Sequence, residues 1–213
     1  MAISKLATYI KLSPNYTKMT DKVNKKITIH HVAGVTTAQA LGDLFYKTSR
    51  QASSNYGIGN DGTIGCYVDE DNRSWCSSSR DNDSQAITIE VSNCKGEPNW
   101  EVGDKAMESL IKLCVDICKR NKIEKLNFTG DATGNLTLHK YFAATGCPGP
   151  YLESKMKWIA DTVNKELKKD DADEEEVDGR MYRIQVGAFK NRKNAENYLE
   201  FVKSKGFTDA FIS

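Results

Sequence analysis

The residues of this 213-residue chain best suited to chemistry are histidines and a cysteine. In LTLHKYFAATGCPGPYL, His139 and Cys147 stand eight positions apart, and Cys147 runs directly into Pro148-Gly149. Pro148 ends any helix before it and makes a rigid turn, so an imidazole and a thiolate can converge from a helix and a loop. Zinc bound there needs a third ligand. A histidine at the tip of the apolar run 27–31 can supply it, and local pattern does not separate His30 from His31. Each of the three histidines also fits a purely hydrogen-bonded structural role. Three protein ligands plus an open position are the mark of catalytic zinc, which lowers the pKa of bound water to about 7. Glu90, polar at the end of an otherwise apolar run, is the candidate to take the proton.

These side chains need elements to carry them. Run 27–31 reads as a strand, followed by Thr36 or Thr37 as a helix N-cap and an amphipathic stretch with Ala40, Leu41, Leu44 and Phe45. In NYGIGNDGTIGCYVD, β-type residues flank the turn signal Asp61-Gly62, which predicts a hairpin of 56–58 with 64–68. AITIEV, residues 86–91, is a second buried strand carrying Glu90. Residues 103–121 have the clearest helical period, and 126–128 read as a short strand after them. Alternating strands and helices predict an α/β fold: a central mixed sheet flanked by helices, with the zinc site in a cleft at the sheet edge.

Composition limits the function classes. A formal net charge of +1 offers no concentrated basic surface for nucleic acid. No stretch approaches the roughly 18 apolar residues of a membrane span. The first twenty residues hold one short apolar patch interrupted by Lys5 and Lys11, unlike a signal peptide, so synthesis in the cytoplasm is expected. The six cysteines are expected to be reduced thiols. Cys114 and Cys118 fall on one apolar helical face, while Cys66 and Cys76 could approach across a hairpin.

Residues 168–179, KKDDADEEEVDG, hold two basic and seven acidic side chains, which repel one another and predict a linker; an acidic extension of the preceding helix is the alternative. The expected organisation is a domain over 1–167, the linker, and a small appendage over 180–213. In that appendage MYRIQVGAF alternates like a strand, NRKNAENYLEFVKSK has helical spacing and GFTDAFIS reads as a second strand, a βαβ unit. At 34 residues it is below the size of roughly 40 that folds unaided.

ITIHHVAG, NYGIGNDGTI, AITIEV and HKYFAATGCPGPYL occur here in an order that resembles the N-acetylmuramoyl-L-alanine amidase type 2 family, which includes phage lysozyme-type amidases and is similar to peptidoglycan-recognition proteins. The resemblance spans roughly residues 5–165 in several separated motifs. It implies that His30, His139 and Cys147 bind zinc and that Glu90 is the general base. It also implies hydrolysis of the amide joining the lactyl group of N-acetylmuramic acid to L-alanine, with bacterial peptidoglycan as partner. Many relatives have a lysine two residues before the cysteine; Thr145 stands there, a neutral hydroxyl left to bind the oxyanion. At the place of a tyrosine used by some phage-type relatives the chain has Ser54, with Tyr56 two residues later. His31, Asn55, Tyr56 and Trp75 are the candidate substrate contacts, packing being their alternative role.

The tail resembles the opening half of a SPOR domain, a module associated with peptidoglycan glycan strands; its seven basic and three acidic side chains suit an anionic wall, or simply a solvated helix face. Two other functions compete. A non-catalytic peptidoglycan-recognition module would have lost the metal residues. A zinc-stabilised structural protein would need a fourth ligand, for which Asp131 is the nearest candidate. The expected biology is a phage endolysin reaching the wall after release, with a bacterial autolysin of the same chemistry as the alternative.

Overall fold

The computed structural model describes residues 2–174 and 185–212. Its strands are β1 (Tyr9–Ile10), β2 (Tyr16–Thr17), β3 (Lys26–His31), β4 (Tyr56–Ile58), β5 (Ile64–Cys66), β6 (Arg73–Ser74), β7 (Ala86–Val91) and β8 (Leu136–Leu138). Its helices are α1 (Ala38–Tyr46), α2 (Arg80–Asp83), α3 (Asp104–Arg120), α4 (Gly149–Glu174) and α5 (Arg192–Ser204). Six strands form one sheet in the order β1-β5-β4-β7-β3-β8, parallel except for the β4–β5 hairpin. The mixed sheet flanked by helices matches the expected class.

Strands β3, β7 and β8 are buried on both faces, but the two faces differ in chemistry. Ile27, Ile29, Ile87, Ile89, Leu136 and Leu138 join one core with α3 and α4. Thr28, Thr88 and Thr137 alternate with them, and side chains point to opposite faces at period 2. That second face is a buried polar layer. Thr28 Oγ1 lies 3.0 Å from Thr137 Oγ1, Ser74 Oγ lies 2.7 Å from Thr88 Oγ1, and Asn82 Nδ2 donates to Thr28 Oγ1 at 3.0 Å.

Helix α3 buries Ala106, Met107, Leu110, Ile111, Leu113, Cys114, Ile117 and Cys118, the one-sided pattern its period predicts; Cys114 and Cys118 are core residues. Burial of a Leu or Ile of this kind contributes roughly 1.5–3 kcal/mol. Thr37 caps α1, accepting from the Ala40 N–H at 3.1 Å. The hairpin turns at Asp61-Gly62, where Gly62 has φ +87°, a conformation costly for other residues. The second hairpin strand ends at Cys66 rather than 68, because the Tyr67 and Val68 N–H groups both donate to the Asn55 carbonyl.

Other expectations fail for identifiable reasons. Residues 126–128 are not a strand: the Asn164 side chain takes both the N–H and the carbonyl of Leu126, each at 2.8 Å, and the ladder belongs to β8 instead. Cys66 and Cys76 are not bonded; Cys66 lies opposite Tyr56 in the hairpin, and both thiols are free.

The chain divides into units Met1–Asp173 and Glu174–Ser213. Segment 168–179 is helical through Glu174, and its remainder lies outside the described residues. In the second unit α5 forms where expected, with Asn191 as its N-cap. The two flanking strands do not: 185–189 and 206–212 hold no strand, and the rest of the first lies outside the described residues. A strand requires a ladder partner, and neither segment has one among the described residues. Val186, Phe207 and Phe211 are correspondingly exposed.

Candidate metal and active site

The polar face of the sheet ends in the reactive residues. His30 follows Thr28 by one strand period and Glu90 follows Thr88 by the same step, and parallel register sets His30 directly beside Glu90. On the other side of β3, Ile29 pairs with Leu138, so His139 emerges next to His30. Their ring centroids are 4.6 Å apart. The expected helical origin of His139 is therefore corrected: it leaves the end of β8 and opens a single 3-10 turn, His139–Tyr141. The cleft lies at the carboxyl ends of β3, β7 and β8, of which only β8 is an edge strand.

Cys147 arrives from the loop before α4. Its Sγ lies 3.8 Å from His30 Nδ1 and 3.4 Å from the His31 N–H, which donates to it. Gly149 follows at φ +82°, where a Cβ would stand 3.0 Å from His31 Cε1. A side chain there would press on the His31 ring and Trp100 Cβ in a backbone conformation that favours glycine, so glycine lets the cysteine loop close on β3.

Donor atoms of His30, His139 and Cys147 lie within 4.8 Å of one another. His30 Nε2, His139 Nε2 and Glu90 Oε2 are buried without a hydrogen-bond partner. Unpaired buried polar atoms are costly, and these three sit on residues at the carboxyl ends of adjacent strands beside Cys147 Sγ, an arrangement that suits a bound cation. Two imidazoles and a thiolate are the donor types zinc takes.

Burial sets the electrostatics of the cleft. It pushes His30 well below the usual imidazole value, helped by His139 and His31, and lowers His139 as well. It raises Cys147 to about 12 and Glu90 to about 8, with the Arg50 charge partly opposing the shift at Glu90. Neutral imidazoles are ready to ligate, and the thiol would lose its proton on binding a metal.

The cleft has a volume of about 1220 Å3. Glu90, His31, Trp75 and Thr145 line it, as do Arg50, Arg73 and Arg80. Thr145 is exposed, and its Oγ1 accepts from the Cys147 N–H at 3.2 Å. His31 lies beside the cysteine loop, edge-on to Trp100 with centroids 5.5 Å apart. Trp75 donates its indole N–H to Thr17 Oγ1 at 2.9 Å.

Asn55 and Tyr56 are not cleft contacts; both are fully buried. The Asn55 amide donates to the Val68 carbonyl and its Oδ1 accepts from the Thr88 N–H, each at 3.1 Å. The Tyr56 hydroxyl donates to Glu70 Oε1. Asp131 is also outside the site: it closes an exposed turn, accepting from Thr129 Oγ1 and from the N–H and hydroxyl of Thr133.

Cys76 also lines the cleft, although its sequence context does not point to it; its Sγ is 3.9 Å from Glu90 Oε1. No local spacing marks it, because it reaches Glu90 only through the fold. A clearer signal did exist for His30. ITIH, ITIE and LTLH repeat one phase, apolar-Thr-apolar-polar, which singles out His30, Glu90 and His139 and leaves His31 in the wrong phase.

Residues 20–150 match the family described as N-acetylmuramoyl-L-alanine amidase, and residues 178–213 match the SPOR domain. The fold is similar to that of Staphylococcus aureus hydrolase AmiA, solved in complex with its ligand, at TM-score 0.60 and 16% identity, covering 78% of this chain and 86% of that one. It is similar to the catalytic domain of XlyA, at TM-score 0.55 and 14% identity, covering 73% and 97%. A mutant endolysin from Bacillus subtilis is similar at TM-score 0.53 and 17% identity, also covering 73% and 97%. No curated protein sequence matches the chain.

Proposed function

Because this chain belongs to the N-acetylmuramoyl-L-alanine amidase family, we propose that it is a zinc-dependent hydrolase of the lactyl–L-alanine amide of peptidoglycan, acting as an endolysin. The observation that carries the reading is the convergence of His30, His139 and Cys147 beside Glu90, with Cys147 Sγ 3.8 Å from His30 Nδ1. Zinc held by these three residues would supply Lewis-acid polarisation of the scissile carbonyl and a lowered pKa for water. Glu90 takes the proton from the attacking water and passes it to the departing amine; its unpartnered Oε2 is free to do so. Thr145, exposed at the cleft, donates its hydroxyl to the carbonyl oxygen as charge builds there. His31 and Trp75 line the channel for the stem peptide. The endolysin role draws support from the likeness in fold to an endolysin.

The test combines zinc analysis of the purified protein with mass spectrometry of digested peptidoglycan. About one zinc per chain and products cleaved between the lactyl group and L-alanine are expected. Intact lactyl–alanine linkages in every product would sink the amidase reading. Loss of turbidity from isolated walls separates the lytic role from turnover of soluble wall fragments, which would leave whole walls undiminished.

A further inference from the structure

His30 belongs to a second cluster besides the one it forms with His139 and Cys147. Donor atoms of His30, Cys76 and Glu90 also lie within 4.8 Å of one another. Zinc bonds of about 2.3 Å to sulfur and about 2.0 Å to oxygen give a tetrahedral S···O edge of about 3.5 Å. Cys76 Sγ and Glu90 Oε1 are 3.9 Å apart, so small side-chain shifts suffice to ligate one ion. His30 is fully buried; its Nδ1 lies 3.8 Å from Cys147 Sγ of the first set, its Nε2 is unpartnered and left for the second, and Glu90 Oε2 is unpartnered as well. Cys76 is held over them: its N–H donates to Asp83 Oδ2 at 3.0 Å, and Asp83 accepts from the N–H and hydroxyl of Ser77.

A thiolate, an imidazole and a carboxylate suit a thiophilic divalent ion and not magnesium or calcium, which prefer oxygen. We propose that His30, Cys76 and Glu90 form a second coordination set for such an ion, zinc included, and that filling it inhibits hydrolysis. A carboxylate bonded to metal no longer accepts the proton of the attacking water. The inhibitory consequence rests on the amidase reading; the coordination set does not.

Cadmium, whose bond to thiolate absorbs in the ultraviolet, is the probe. Metal-free full-length Cys147→Ser is titrated beside Cys147→Ser/Cys76→Ser, with Cys94→Ser in both because Cys94 is the remaining half-buried thiol. The first is expected to show a band saturating near one equivalent and the second to lack it. Equal bands in both, or none in either, overturn the coordination set; Cys147→Ala replaces Cys147→Ser if circular dichroism shows that the latter is unfolded. Wall hydrolysis reads the consequence. Excess zinc should slow the wild type about tenfold and Cys76→Ser less than about twofold. Equal inhibition of the two overturns the inhibitory role. Absence of hydrolysis at every zinc level overturns the amidase reading instead and leaves the cadmium result standing.

Discussion

At the scale of single residues, Glu90 and its neighbours separate chemistry from metal binding. Glu90→Gln keeps shape and removes the base, so turnover is expected to fall by about 10²–10⁴-fold while zinc content stays at wild-type level. Undiminished turnover removes Glu90 from the mechanism. Thr145→Val deletes one neutral donor; kcat should drop by about ten- to a hundredfold with little change in KM. An unchanged kcat would leave oxyanion binding to other groups. Lys22 offers a stability test away from the cleft. Its Nζ donates to the Asn72 and Ala86 carbonyls, and burial lowers its pKa from 10.5 to about 8. The folded state therefore binds fewer protons than the unfolded state between pH 8 and 10.5. The cost of burying the charge is full below pH 8 and fades as pH rises to 10.5. Wild type should gain on the order of 3 kcal/mol relative to Lys22→Met across that window in urea unfolding. A pH-independent difference would show that Lys22 stays charged.

At the scale of elements, two clamps hold the site's scaffold. One is the three-strand phase that lines up His30, Glu90 and His139 on a single face. The other ties the C-terminal end of α3 to the chain beyond the hairpin. Arg120 meets the fully buried Glu70 with two bonds of 2.7 Å, and Glu70 also receives the Tyr56 hydroxyl. Removing one partner strands a buried charge, so Arg120→Met is expected to cost about 3 kcal/mol in denaturant unfolding. Metal content should be unaffected in the variant that still folds, because Tyr56 reaches Glu70 and not the cleft. A change within ±0.5 kcal/mol would mean that solvent compensates Glu70.

At the scale of the molecule, the main core and the candidate metal set both lie within the first unit. The SPOR match covers 178–213, and within it α5 presents Tyr198 and Phe201 at its surface. A chain ending at 174 is expected to keep its melting temperature and its hydrolysis of soluble muropeptides. It should lose much of its retention on sedimented walls, a difference a pelleting assay reads directly. Equal retention of the two chains would remove residues 178–213 from wall binding.

Sequence alone determined the β3–α1 and β7 segments, the hairpin and α3, because period, N-cap and turn chemistry are local properties. It also brought forward His30, His139, Cys147 and Glu90, and the shared apolar-Thr-apolar-polar phase of three segments agrees with the family resemblance in choosing His30 over His31. Only tertiary structure decided what depends on who sits beside whom. Asn164 consumed the backbone at Leu126 and denied it a strand; burial removed Asn55 and Tyr56 from the cleft; Asp83 and the β6 turn brought Cys76 to Glu90. Such pairings join residues far apart in the chain, and no local pattern encodes the free energy that selects them.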